Sequence, residues 1–154
     1  RYREIKKDQI PEVSSKNGIK IKVICGSVEA ADGPVQDIVT EPQYLDVAIP
    51  EDQTFEHSIP SGHTAFAYII QGSGSFSADG PHITGPETLV VFNDGAGVKI
   101  SAAKEPLRFL LISGKPINEP VAWRGPIVMN TREELETAFE EYQNNTFLKH
   151  TSAE

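Results

Sequence analysis

Two histidines, His57 and His63, stand six positions apart across Ser58-Ile59-Pro60-Ser61-Gly62, with Glu56 beside the first. Imidazole nitrogens and a carboxylate converging on one point are the donor set of a transition-metal centre, which needs three or more such ligands. At a strand entrance the pair could face each other and hold an ion; on a loop they are ordinary hydrogen-bonding side chains. His82 falls in the Gly80-Pro81 turn and His150 in the tail. The single cysteine, Cys25, ends an apolar run and reads as a small buried hydrophobe rather than a nucleophile. One cysteine can form neither an internal disulfide nor a thiolate-built zinc site. Gly72-Ser73-Gly74 lacks the third glycine of a dinucleotide fingerprint and leads into a strand, so it reads as a hairpin turn. Adjacent carboxylates such as Glu51/Asp52 and Glu140/Glu141 point apart and suit solubility better than acid–base work.

The chain around these groups has 154 residues, with 14 Lys and Arg against 22 Asp and Glu, a formal charge of −8. Composition is that of one globular domain, and disorder, collagen and a disulfide scaffold are excluded. No apolar run approaches the length of a membrane helix, so no membrane partner is expected. The basic groups gather at the start, where Arg1, Arg3, Lys6, Lys7, Lys16, Lys20 and Lys22 outnumber three acids, while the remainder is acidic. An acidic body disfavours phosphate-backbone contacts, and direct nucleic-acid binding is not expected. A lone cysteine and no secretory signal point to a reducing, cytoplasmic setting. The first residue is Arg1 rather than Met, as in a piece of something longer.

Short alternating or β-branched stretches separated by turn residues predict strands at 19–23, 44–49, 66–70, 73–78, 88–92, 98–101 and 107–112. Lys16-Asn17-Gly18, Gly72, Asp79-Gly80-Pro81, Gly85-Pro86 and Asn93-Asp94-Gly95 supply the turns between them. Many short strands at regular spacing argue for a sandwich or barrel. One helix is predicted over 131–143. Thr131 and Glu134 form a capping box, and Leu135, Ala138, Phe139 and Tyr142 make one apolar stripe.

The stretch from His57 to Gly72 resembles the first conserved motif of cupin barrels, and Gly85-Pro86-Glu87-Thr88-Leu89-Val90-Val91-Phe92 the start of the second. Leu111 through Pro120, followed by Gly125-Pro126-Ile127-Val128-Met129-Asn130-Thr131-Arg132-Glu133-Glu134-Leu135, resembles the C-terminal half of the pirin family, which includes quercetin 2,3-dioxygenase-like members. The resemblance runs from about Tyr2 to Phe147. It implies an all-β fold, a double-stranded β-helix or jelly roll, forming one cupin barrel plus the helix over 1–148, with a tail at 149–154.

Pirins are two-barrel proteins whose N-terminal barrel carries one non-haem iron held by histidines and a glutamate. The resemblance therefore implies a metal-free C-terminal barrel here, with no catalytic residues and no cofactor of its own. Counted back from Gly72, the glutamate slot falls at Ala65 and the histidine slots near Ile59 and Ser61; the later histidine slot falls around Gly97–Val98. Ile59, Ala65 and neighbours such as Phe66 and Tyr68 would fill the site. Trp123, Met129, Leu135 and Phe139 would pack or brace an interface. The implied partner is an iron-bearing N-terminal cupin barrel or a homodimer mate. Two alternatives follow: a quercetin 2,3-dioxygenase-like enzyme using His57 and His63, or a protein-binding module of transcription-cofactor type.

Overall fold

The computed structural model of the chain describes residues 4–77, 80 and 82–149. They form two compact units, the first ending at Pro116 and the second starting at Ile117. Ala78, Asp79, Pro81 and His150 lie outside the described residues.

The first unit contains twelve strands after a short 3₁₀ turn at Lys7–Gln9: β1 (Glu12–Ser14), β2 (Lys20–Cys25), β3 (Ser27–Val28), β4 (Ala31–Asp32), β5 (Gln43–Ile49), β6 (Thr54–Ser58), β7 (Thr64–Gln71), β8 (Gly74–Ser75), β9 (Ile83–Thr84), β10 (Leu89–Val91), β11 (Gly97–Ala102) and β12 (Leu107–Gly114). They pair as a six-stranded antiparallel sheet, β1-β2-β5-β12-β7-β10, and a four-stranded one, β6-β11-β8-β9, with β3-β4 as a separate hairpin. Successive side chains on a strand point to opposite faces, so alternation decides what is buried. Ile21 and Val23 of β2, Leu45, Val47 and Ile49 of β5, Ala65, Ala67 and Ile69 of β7, Phe109 and Leu111 of β12, and Val98 and Ile100 of β11 all turn into one core. This is the all-β cupin jelly roll that the sequence implies. Turn chemistry agrees: Gly18 has φ +83°, and its N–H donates to Ser15 O at 3.0 Å.

The strand expectations needed correction: the short strands β1, β3, β4 and β9 were not predicted. Among the described residues of the run predicted at 73–78, only Gly74–Ser75 pair as strand; Gly74 lies close against β11, where a Cβ on it would be 2.5 Å from Ser101 O. Thr54–Ser58, not predicted as strand, is β6, whose single apolar residue Phe55 gave no visible alternation.

The second unit is a hairpin, β13 (Ala122–Arg124) with β14 (Ile127–Met129), and α1 (Arg132–Gln143). Gly125 makes the tight turn at φ +56°. The capping box forms as read: Glu134 N–H donates to Thr131 Oγ1 at 3.2 Å, and Thr131 N–H donates to Glu134 Oε2 at 3.0 Å. Leu135 and Ala138 are buried, whereas Tyr142 is 66% exposed, so the apolar stripe is one turn shorter than predicted. Arg124 lies over the Phe139 ring, 4.8 Å from its centroid.

Candidate functional site

Inward positions near one end of the barrel carry polar side chains, unlike those along its length. Gln43 opens β5, Ser113 nears the end of β12, and the register pairs Ser113 with both Gln43 and Ala65. From the opposite sheet, His57 of β6 pairs in register with Val98 of β11. Its Nε2 lies 2.8 Å from Gln43 Oε1, a hydrogen bond that ties the smaller sheet to the larger. The imidazole also stacks on Phe55, with centroids 5.8 Å apart and planes at 9°. Burial disfavours the charged ring and holds His57 below the ordinary histidine value of 6.5. The neutral ring therefore donates from Nε2 to the amide oxygen, leaving the Gln43 –NH₂ for other partners.

That arrangement makes stability pH-dependent. Above about pH 6.5 His57 is neutral in both folded and unfolded chains, and its contribution is full. As pH falls through 6.5 toward the lower folded value, the unfolded chain takes up a proton that the folded chain resists, so stability declines. The difference in unfolding free energy between the parent and His57→Gln, followed by urea denaturation, should therefore shrink from pH 7.5 to 5. A constant difference would show that His57 stays uncoupled from folding.

His63 is placed by the turn before β7: its N–H donates to Pro60 O at 3.2 Å, and Gly62, at φ +82°, donates to Asp94 Oδ1 at 2.7 Å. His63 Nδ1 and Ser113 Oγ are buried without a protein hydrogen-bond partner. Leaving such a group unpaired costs about 1–3 kcal/mol. His63 lines a cleft of about 630 Å³ bounded by the ends of β2 and β5, the β3–β4 hairpin and residues 35–42. Cys25 and Gln43 also line it; His57 does not. Cys25 Sγ lies 3.3 Å from both Val35 O and Pro42 O, so its single S–H can donate to either, and burial pushes its thiol up.

The two histidines thus serve different surroundings. Among the described residues no three His, Cys, Asp or Glu side chains come together in a way that could hold a metal ion. Of the positions that the family resemblance assigns to ligands, Ile59, Ala65 and Val98 are core residues with no side-chain lone pair, and Ser61 is exposed in the turn before β7. Phe66 and Tyr68 do not join them, contrary to expectation. Ala65, Ala67 and Ile69 take the inward positions on β7, so the residues between them face outward, and Tyr68 is 40% exposed.

Gln43 and Ser113 were missed by the sequence reading, although a signal existed. Extending the inward alternation Leu45, Val47, Ile49 back one step lands on Gln43; extending Leu107, Phe109, Leu111 forward lands on Ser113. A polar residue at an inward position is the informative event.

The outer face of the larger sheet carries apolar rows. Val91, Phe66, Ile112 and Tyr44 stand side by side across four strands, as do Leu89, Tyr68 and Leu110, ending at Asp46. Asp46 there accepts both Nε and Nη2 of Arg108, at 2.9 and 2.7 Å. Leu89 and Val91 are 55% and 66% exposed. In the second unit Leu135 is buried, Met129 and Phe139 are half-buried, and Trp123 is exposed, with its Nε1 donating to Gly125 O at 2.7 Å.

Comparison with known proteins places this geometry. The family model described as the pirin C-terminal cupin domain matches residues 44–148. Pirin-1 of Arabidopsis thaliana is 37% identical over 94% of this chain and 50% of its own length. Pirin of Rattus norvegicus is 34% identical over 93% of this chain and 49% of its own length. A solved quercetin 2,3-dioxygenase from Acinetobacter baumannii superposes with a TM-score of 0.82 at 25% identity, covering 96% of this chain and 50% of that one. The chain spans about half the length of the curated relatives it matches. This chain belongs to the pirin family and matches its C-terminal cupin domain.

Proposed function

We propose that this domain is a metal-free cupin barrel that assembles with a second, iron-bearing barrel rather than catalysing by itself. The observation that carries the reading is that the positions assigned to ligands by the resemblance hold Ile59, Ala65 and Val98, packed in the core, and the exposed Ser61, so none supplies an imidazole or a carboxylate. Converting such positions to a metal centre would require burying charged ligands in apolar surroundings. Assembly is supported by the apolar rows on the outer sheet face, where Leu89, Val91, Tyr68 and Ile70 are exposed together. Apolar groups gathered on one face are the usual mark of an association surface. The bidentate Asp46–Arg108 pair at its margin supplies a polar rim.

One preparation tests both parts. The chain is incubated with ferrous iron under anaerobic conditions, desalted, and analysed for metal and by sedimentation. Iron should stay below about one-tenth of an equivalent, as expected of a site without imidazole or carboxylate ligands. With no iron-bearing barrel present, the same apolar face should pair with an identical chain, so the species should be larger than the 16.9 kDa chain at high micromolar concentration. Near-stoichiometric iron, or a strict monomer, would overturn the corresponding half of the proposal.

A further inference from the structure

Among the described residues the larger sheet ends at β10, with no strand on its far side. We propose that this edge joins a second copy of the chain, β10 pairing antiparallel with β10 about a twofold axis at Val90. The proposal rests on the association reading above and gives it a contact and a register, at the margin where the apolar rows end. Backbone direction comes first. Ile69 N–H donates to Thr88 O and Phe92 N–H to Ala65 O, both at 3.0 Å, and Val90 stands opposite Ala67 between them. Ladder groups alternate sides along an antiparallel strand, so positions 88, 90 and 92 point at β7. The N–H and C=O of Leu89 and Val91 therefore point out of the sheet. Two donors and two acceptors, already in strand conformation, make that edge a template for another strand.

The partner is set by self-complementarity. A twofold axis at Val90 places Leu89 opposite Val91 of the second copy, and Val91 opposite its Leu89. Both pairs exchange N–H and C=O, and the same patch serves on both sides, as a closed dimer requires. Side chains agree with the backbone. Leu89 and Val91 are 55% and 66% exposed on the outer face, and across the axis they meet as apolar cross-strand pairs. The row Val91, Phe66, Ile112 and Tyr44 then continues through Leu89, Tyr68 and Leu110 of the second copy, and the apolar face doubles. Leu89-Val90-Val91 carries no charge and no proline, the usual devices that keep edges apart. In a chain of formal charge −8, this stretch lets two copies approach without opposing carboxylates on the paired residues. Glu87 and Asp94 flank it, so added salt should favour the contact by screening them.

The test follows amide hydrogen exchange of the isotopically labelled chain over a concentration series, with sedimentation in parallel. As the larger species forms, the Leu89 and Val91 amides should gain protection about tenfold or more. Glu12 and Ser14 are the control. Val23 N–H donates to Pro11 O and Ser15 N–H to Ile19 O, so by the same alternation their amides point out of the opposite edge and should stay unchanged. Val91→Pro removes an outward N–H and leaves the β7 ladder intact, a place where a strand tolerates proline. It deletes two of the four intermolecular bonds and should weaken self-association about tenfold or more. Val91→Ala keeps the N–H, trims only the side chain, and should weaken it about threefold at most. A larger species in which Leu89 and Val91 still exchange freely overturns the edge contact and leaves the association reading standing; a monomer throughout overturns both. Protection at Glu12 and Ser14 instead, or equal weakening by Val91→Pro and Val91→Ala, also overturns the edge contact.

Discussion

Phe109→Ala is expected to cost about 3–5 kcal/mol of folding free energy, the range for truncating a fully buried aromatic. Phe109 is fully buried on β12, the strand that lies between β5 and β7 in the larger sheet. Its ring meets Phe55 of the opposite sheet edge-on at 6.0 Å and Phe76 at 5.6 Å. Such edge-to-face pairs add about 0.5–1.5 kcal/mol beyond burial, so the ring ties the two sheets together at the centre. The void left by alanine cannot be refilled from solvent, since β12 is paired on both sides along its length. Set against a total of about 5–15 kcal/mol for an ordinary domain, the loss should lower the urea midpoint sharply and unfold part of the population at 37 °C. Phe109→Leu retains most of the volume and should recover more than half of the loss. A midpoint in Phe109→Ala within about 1 kcal/mol of the parent would mean that the core collapses around the gap.

Gly72→Ala should be comparably severe, although it removes nothing. Gly72 closes β7 at φ +75°, a backbone that costs an L residue roughly 1–2 kcal/mol. A Cβ there would also stand 2.0 Å from Pro106 O and 3.1 Å from Leu107 Cα, both backbone atoms that cannot swing aside. Relief requires separating the end of β7 from the start of β12, where Arg108 pairs with Gln71 beside a register shift. The expected destabilisation is about 3 kcal/mol or more, among the large values that arise from identifiable strain. Gly85→Ala is the control: its added Cβ meets nothing within 4 Å, and the change should stay within about 0.5 kcal/mol. Similar unfolding midpoints for the two alanine variants would refute the close-approach argument.

The Gly72 contact illustrates how legible the site was. Glycine at the end of an apolar run announces a turn, but nothing in the run announces that another backbone passes two ångströms from the missing Cβ. His57 and His63 show the same division. Their spacing in sequence suggested a shared site, because neighbours along a chain can meet at a strand entrance. The fold instead gives His57 to the lumen beside Gln43, 14 positions earlier, and His63 to the cleft. The sheet pairing that brings Gln43 opposite Ser113, 70 positions away, was equally unreadable, since register depends on which strands meet.

Local information determined what depends on neighbours within a few residues. It marked the alternation in β2, β5, β7, β11 and β12, the Lys16-Asn17-Gly18 turn and the capped helix after Thr131. Each follows from backbone preference or side-chain chemistry at the position itself. Tertiary structure alone decided the pairing order of the strands, the outward turn of Phe66 and Tyr68, the hydrogen bond between sheets from His57 to Gln43, and the cleft beside His63. These arise between segments distant in sequence, where the energy comes from excluding water and matching partners across space, and a linear string carries neither distance nor face.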